Sequence, residues 1–222
     1  MANQSVSPAT VDKRTDSLDQ NPILHATRID ILRHGECEGG AIFRGSTDVN
    51  LTPEGFAQMQ SSSEKLQQDW DMIISSPMLR CHKFADHIAE KTQLTVNLDD
   101  RLREMHFGVW DGEKIDDVWH EYTQLISQWR EDPDAYTPPE GEPLVEVFSR
   151  VEEFYQEVLA QHAGKKILVV AHGGIIRVVL SLVLQLPRAK LNRFEVPYAS
   201  VSTISVIHTA QGLIERLHAH NF

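Results

Sequence analysis

The sequence predicts a three-layer α/β/α sandwich built on a mostly parallel central sheet. Two observations carry this reading. Strand-like and helix-like segments alternate along the chain, the pattern of a sheet whose crossovers are helices. Residues 166–171 (Lys-Ile-Leu-Val-Val-Ala) form an unbroken apolar run, as expected of a central strand buried on both faces. A length of 222 residues fits one domain with room for a full core.

Each element follows from local pattern. Residues 1–25 are rich in Ser, Thr, Asn, Gln and Asp and lack periodic hydrophobicity, which predicts a flexible tail ahead of a domain over 26–222. From Thr27, Ile29 and Ile31 alternate with Arg28 and Asp30, and Leu32 leads into Arg33-His34-Gly35: a strand ending in a tight loop. Thr52-Pro53, an N-cap followed by proline at the first helical position, opens a helix to about residue 68. Residues 71–75 are a short strand. Ser76-Pro77 repeats the cap-and-proline device and opens a helix to about residue 91, and residues 93–98 are strand-like. Residues 113–131 read as helical, with Val118, Tyr122, Leu125 and Trp129 at helical spacing, and 132–141 as a loop. The next helix carries an apolar stripe at Val145, Phe148, Val151, Tyr155, Val158 and Leu159 and ends near Gly164. After the apolar strand, 175–184 is helical, and 200–208 with 212–218 reads as a closing hairpin.

Composition narrows the partners. A formal charge of -11 argues against broad binding to nucleic acid or anionic membranes, but converging arginines can still make a positive pocket. The two cysteines, Cys37 and Cys81, imply no disulfide framework and a reducing compartment. No apolar run approaches the roughly 18–20 residues of a membrane helix, and no signal-peptide pattern opens the chain, so a soluble cytoplasmic protein is expected.

Ligands of open α/β sheets bind beyond the carboxyl ends of the strands, and three chemically rich segments fall there. Arg33-His34-Gly35-Glu36 follows the first strand, Ser75-Ser76-Pro77-Met78-Leu79-Arg80 the second, and Ala171-His172-Gly173-Gly174 the apolar strand. If those strands are parallel neighbours, two imidazoles and two guanidiniums converge. The helix after Gly174 turns its free N–H groups and positive end to the same place. Arginine forks match phosphate oxygens, so the constellation is a dianion site containing two histidines.

These residues give the chain a recognisable likeness. It resembles the histidine phosphatase superfamily, which includes cofactor-dependent phosphoglycerate mutase. The resemblance rests on Arg33-His34-Gly35-Glu36, Leu51-Thr52-Pro53-Glu54-Gly55, Ser75-Ser76-Pro77 with Arg80, Glu104 with Phe107-Gly108 and Trp110-Asp111-Gly112, and Ala171-His172-Gly173-Gly174. Within the family it is most similar to the α-ribazole phosphatases of cobalamin synthesis, through Phe43-Arg44-Gly45-Ser46-Thr47-Asp48, residues 102–108 and residues 136–143.

The resemblance implies a phosphoglycerate mutase-like fold and a phosphomonoesterase acting on a small phosphorylated substrate. His34 would be the nucleophile and form a phosphohistidine. Arg33 and Arg80 would bind the phosphoryl oxygens and disfavour protonation of His34. His172 would hydrogen-bond the transferring group, and Glu104 would protonate the leaving alkoxide and later deprotonate water. Arg44, Gly45 and Gly173 complete the expected substrate contacts. Fixed donors supply most of the stabilisation in phosphoryl transfer, so no metal and no cofactor are expected. Residues 113–141 are the expected specificity insert. One departure stands out: the family usually has Asn six residues after the nucleophile, and here it is Gly40. Any lost contact falls to backbone N–H groups and Arg44.

The bland reading holds for other residues. Arg177 is expected to pack its helix, Cys37 and Cys81 to be inert, and Trp110, Trp119 and Trp129 to fill a core. α-Ribazole phosphate is the best single substrate guess. The alternatives are mutase-type transfer and a broad sugar or nucleotide phosphatase. The segment between Glu104 and His172 is shorter than the one that holds the mutases' lid, and retained phosphoryl chemistry needs excluded water. A noncatalytic binding module has no need of a general acid, and a metallohydrolase lacks ligand spacing around its histidines. A homodimer is an open alternative to a monomer.

Overall fold

A computed structural model of the chain describes residues 23–221. In chain order the elements are β1 (Ile23–Arg33), α1 (Pro53–Glu64), β2 (Met72–Ser75), α2 (Leu79–Thr92), β3 (Val96–Leu98), α3 (Ile115–Glu121), α4 (Thr123–Glu131), α5 (Leu144–Gln161), β4 (Lys166–Ala171), α6 (Gly173–Val183), β5 (Val201–Thr209) and β6 (Gly212–His220). One six-stranded sheet runs in the order β3-β2-β4-β1-β5-β6. The first four of these are mutually parallel, and β5 and β6 add an antiparallel edge.

The apolar run forms β4 in the interior of the sheet, and its alternation explains the three layers. Ile167 and Val169, with Ile29 and Ile31 of β1, face a core made with α5 and α6. Leu168 and Val170, with Leu32, face a second core made with α1 and α2. A strand with helices on both faces must be apolar where they cover it, and this one is from Ile167 to Ala171.

Several boundaries move, each for a physical reason. The expected tail, as far as residue 22, lies outside the described residues, but residues 23–25 belong to β1, where Ile23 pairs with Thr209 and His25 with His208. α1 starts as expected, with Thr52 Oγ1 accepting the Gly55 N–H at 2.9 Å, but ends at Glu64 because the Lys65 N–H closes back on Ser62 and Ser63. Gln93 is left-handed (φ 59°) and closes α2, so β3 starts only at Val96. The single helix expected over 113–131 breaks at Tyr122 (φ -114°, ψ 31°), where the Thr123 hydroxyl donates to the carbonyls of Trp119 and His120. Hydroxyl back-bonding of this kind bends helices. On α5 the buried stripe begins at Leu144 and Val147, and Val145, expected on that stripe, is 51% exposed. Among the described residues no helix is long and apolar enough to cross a membrane.

Candidate active site

Strand register brings the chemical residues together. In the β1–β4 pair Arg33 is opposite Ala171, and in the β2–β4 pair Ser75 is opposite Val170. His34, Ser76 and His172 therefore each stand one residue beyond a strand end on the same edge of the sheet. The edge is pinned by His34 N–H to Ala171 O and Ser76 N–H to Val170 O, both 3.0 Å. The rings of His34 and His172 lie 5.3 Å apart at 60°.

Hydrogen bonds assign the tautomers. His34 Nδ1 is 2.8 Å from Gly35 O, and a carbonyl only accepts, so Nδ1 carries the proton and Nε2 the lone pair. Burial pushes the His34 pKa well below the usual histidine value, and the charges of Arg33, Arg80 and Arg44 push the same way. The ring is thus held neutral with one nucleophilic nitrogen. In His172 the pattern is reversed: Arg80 Nε donates to Nδ1 at 3.1 Å, so Nε2 is the protonated nitrogen and gives its hydrogen to Ser76 Oγ at 2.7 Å. Burial, then Arg80, hold His172 well below its ordinary pKa as well. Ser76 was expected to cap a helix; its hydroxyl instead fixes His172, and α2 starts three residues later with no side-chain cap.

Arg80 is completely buried. Besides His172 it donates to the carbonyls of Thr47 (3.0 Å), Arg44 (2.8 Å) and Gly45 (3.0 Å). In this arrangement neither Arg80 nor His172 lines the adjoining cavity, although both were expected to meet substrate. Gly45 does not line it either: its carbonyl serves Arg80, and a Cβ there would sit 2.3 Å from Met105 O. Its glycine is a packing requirement.

A cavity of ≈ 290 Å³ opens on His34 and is lined also by Arg33, Arg44, Glu104, Gly173, Gly174 and Arg177. Arg33 stacks on Tyr198, with Cζ 4.3 Å from the ring centroid, and its Nη1 donates to Val196 O. Burial lowers the Arg33 pKa, and the nearby Arg177 adds to the effect. Arg44 gives Nη2 to the carbonyls of Glu38 (2.8 Å) and Gly40, so it braces the loop in which glycine replaces the usual asparagine. Glu104 accepts the N–H of Met105 and, through Oε2, that of Gly174 at the start of α6, both at 3.1 Å. A Cβ on Gly174 would lie 2.4 Å from Glu104 Oε1, so only glycine admits the carboxylate there. The far wall is apolar and aromatic, built by Ile42, Phe43, Phe107, Trp129, Val147 and Leu191 among others.

Three contributors escaped the sequence reading: Ser76, Tyr198 and Arg177. Arg177 lines the cavity rather than only packing α6. Asp111, a second carboxylate in the Glu104 loop, is engaged elsewhere. Burial works to raise its pKa, but donors from Ser46, Thr47 and Phe107 outweigh that and hold it below the usual value. Cys37 lies against His34, its Sγ 3.4 Å from His34 Nδ1, and burial raises its pKa; burial also raises Cys81, beside His172. Neither is poised as a thiolate.

The sequence profile of the histidine phosphatase superfamily (branch 1) matches residues 29–218. Phosphoserine phosphatase 1 of Hydrogenobacter thermophilus is 30% identical over 177 residues, covering 78% of this chain and 84% of that one. The adenosylcobalamin/alpha-ribazole phosphatase of Salmonella typhimurium is 26% identical over 182 residues, 81% of this chain and 90% of that one. The native structure of a mycobacterial glucosyl-3-phosphoglycerate phosphatase superposes with a TM-score of 0.78 at 29% identity, covering 89% of this chain and 99% of that one.

The depressed histidines make stability depend on pH. With folded pKa values below the unfolded value of about 6.5, the unfolded chain binds more protons as pH falls through that point, so the stability present above it is lost on acidification. Each ring contributes a slope approaching about 1.4 kcal/mol per pH unit below pH 6.5. Urea unfolding between pH 7.5 and 5, in phosphate-free buffer, is expected to show a slope that His34→Gln and His172→Gln each reduce. An unchanged slope in both variants means the rings are not held neutral by the fold.

Proposed function

Because the chain belongs to the histidine phosphatase superfamily and is a phosphoric monoester hydrolase, we propose that it works through a phosphohistidine on His34. The observation that carries this reading is the fixed tautomer: a neutral ring, buried among guanidiniums, with its lone pair on Nε2 at the head of a cavity. Nε2 attacks phosphorus, the P–O bond to the alcohol breaks, and its electron pair leaves on oxygen. Glu104, at the cavity wall, gives the leaving oxygen a proton. Water then attacks the phosphohistidine while the Glu104 carboxylate takes its proton, and the P–N electron pair returns to Nε2. Arg33 neutralises charge on the phosphoryl oxygens. Arg80 donates to His172 and His172 to Ser76 beside the His34 ring, and in this reading their donors add to the stabilisation of the transferring group.

The leaving alcohol lies against the aromatic and aliphatic wall. That favours an ester whose alcohol carries an aromatic group, and α-ribazole phosphate, with a benzimidazole base, is the substrate proposed. A second reading, a broad-specificity phosphatase, is favoured by the scarcity of directional polar groups on that wall, where Asn192 is the main one. A phosphate-release screen over α-ribazole phosphate, phosphoserine, phosphoglycerates, nucleotides and sugar phosphates separates the two. The first predicts a kcat/KM for α-ribazole phosphate at least about 100-fold above the others, the scale of an aromatic group fully buried. Values within tenfold of one another favour the second.

Glu104→Gln tests the acid. An alkoxide needs a proton as it departs, and positioned proton transfer is worth roughly 10²–10⁴-fold, whereas p-nitrophenolate leaves unaided. Burst rates should therefore fall much more for α-ribazole phosphate than for p-nitrophenyl phosphate. Equal losses remove Glu104 from the role.

A further inference from the structure

The guanidiniums around His34 are unequally committed. Arg80 has Nε on His172 and both terminal nitrogens on carbonyls of the 44–47 loop. Arg44 has Nη2 on the carbonyls of Glu38 and Gly40, and Nη1 3.4 Å from the Tyr198 hydroxyl. Arg33 has Nη1 on Val196 O, its face on Tyr198, and a buried Nε with no partner. Arg177 differs. Its Nε reaches Phe194 O at 3.3 Å, and among the described residues Nη1 and Nη2 make no hydrogen bond or ion pair. Yet the side chain lines the cavity.

The position of that fork is specific. A Cβ on Gly173 would lie 3.3 Å from Arg33 Cζ and 3.6 Å from Arg177 Nη1, so two guanidiniums flank the bare backbone of one glycine. Like charges this close repel, and the effect reaches the Arg33 pKa. Glu104 attracts both without pairing with either. A dianion resting on Gly173, at the N-terminus of α6, would meet both forks and remove the repulsion. We propose that Arg177 is a phosphoryl-binding residue that holds the phosphate between itself and Arg33. Neither of its terminal nitrogens is engaged by a protein group among the described residues, whereas Arg80 and Arg44 spend most of their donors on backbone carbonyls. The proposal rests on phosphoryl transfer at His34, but binding of an anion can be measured without turnover.

Orthovanadate and inorganic phosphate are the probes, since neither has a leaving group. Affinity is read from inhibition of p-nitrophenyl phosphate hydrolysis and from the shift in thermal unfolding. Arg177→Met should unfold within a few degrees of the parent without ligand, yet bind both anions roughly 10- to 100-fold more weakly, the loss of a charge-assisted contact. KM should rise by a similar factor for every ester, whatever its alcohol. Arg177→Lys, which keeps the charge without the fork, should lose less, and it serves as the readout if the Met variant does not fold. Anion affinity unchanged in both variants overturns the proposal. So does a KM increase confined to esters with an anionic alcohol, which would assign Arg177 to the leaving group. Arg177-dependent vanadate binding by a parent that forms no phosphohistidine would sink the mechanism and support this inference.

Discussion

Two imidazoles are buried among guanidiniums at one edge of a sheet, and the rest of the site depends on their staying neutral there. Burial is the larger cause, and the arginine charges add to it, so neither ring can hold a second proton near neutral pH. Neutrality gives His34 its lone pair, and the Gly35 carbonyl decides that the lone pair sits on Nε2. The same condition lets Arg80 donate to His172, which a protonated ring would refuse. Concentrating cations in this way is unfavourable in the empty protein. The imbalance is what makes the cavity select a dianion, because the phosphoryl group supplies the missing negative charge. A net acidic chain can thus hold a strongly cationic pocket.

The sheet makes that concentration possible. β1, β2 and β4 end in register, and each is followed at once by a chemical residue. This much was legible in the sequence, since an apolar run ending in Ala171-His172-Gly173-Gly174 and an alternating strand ending in Arg33-His34-Gly35 both announce their strand ends. Roles that depend on which of two similar patterns wins were not legible. Ser76-Pro77 has the form of a helix cap, and only the position of His172 across the sheet shows that the hydroxyl faces a histidine. Arg177 has the spacing of a packing residue on α6, and only the fold shows its fork beside Arg33 over the Gly173 backbone, lining the cavity. Tyr198 sits in an irregular segment before β5, with no local signal that it would carry the Arg33 guanidinium.

The segment over residues 113–131 was legible as helical but not in its shape. Residues 113–141 do contribute to the cavity, through Ile115, Trp129 and Pro133. Helical spacing predicted one helix there, and the break at Tyr122 arises from a hydroxyl in competition with the backbone, an effect that periodicity does not register. The break turns α4 so that Trp129 joins Phe43, Phe107 and Trp110 in one aromatic cluster. A tryptophan read as core filler therefore also forms part of the cavity wall.

The most direct measurement is a rapid acid- or alkali-quench of the enzyme during hydrolysis of ³²P-labelled p-nitrophenyl phosphate, followed by peptide mapping. A phosphohistidine mechanism predicts label that survives alkali, is lost in acid, forms at least as fast as steady-state turnover and lies on the peptide carrying His34. Label on His172, label with the acid stability of a serine ester, or no label during active turnover would contradict it.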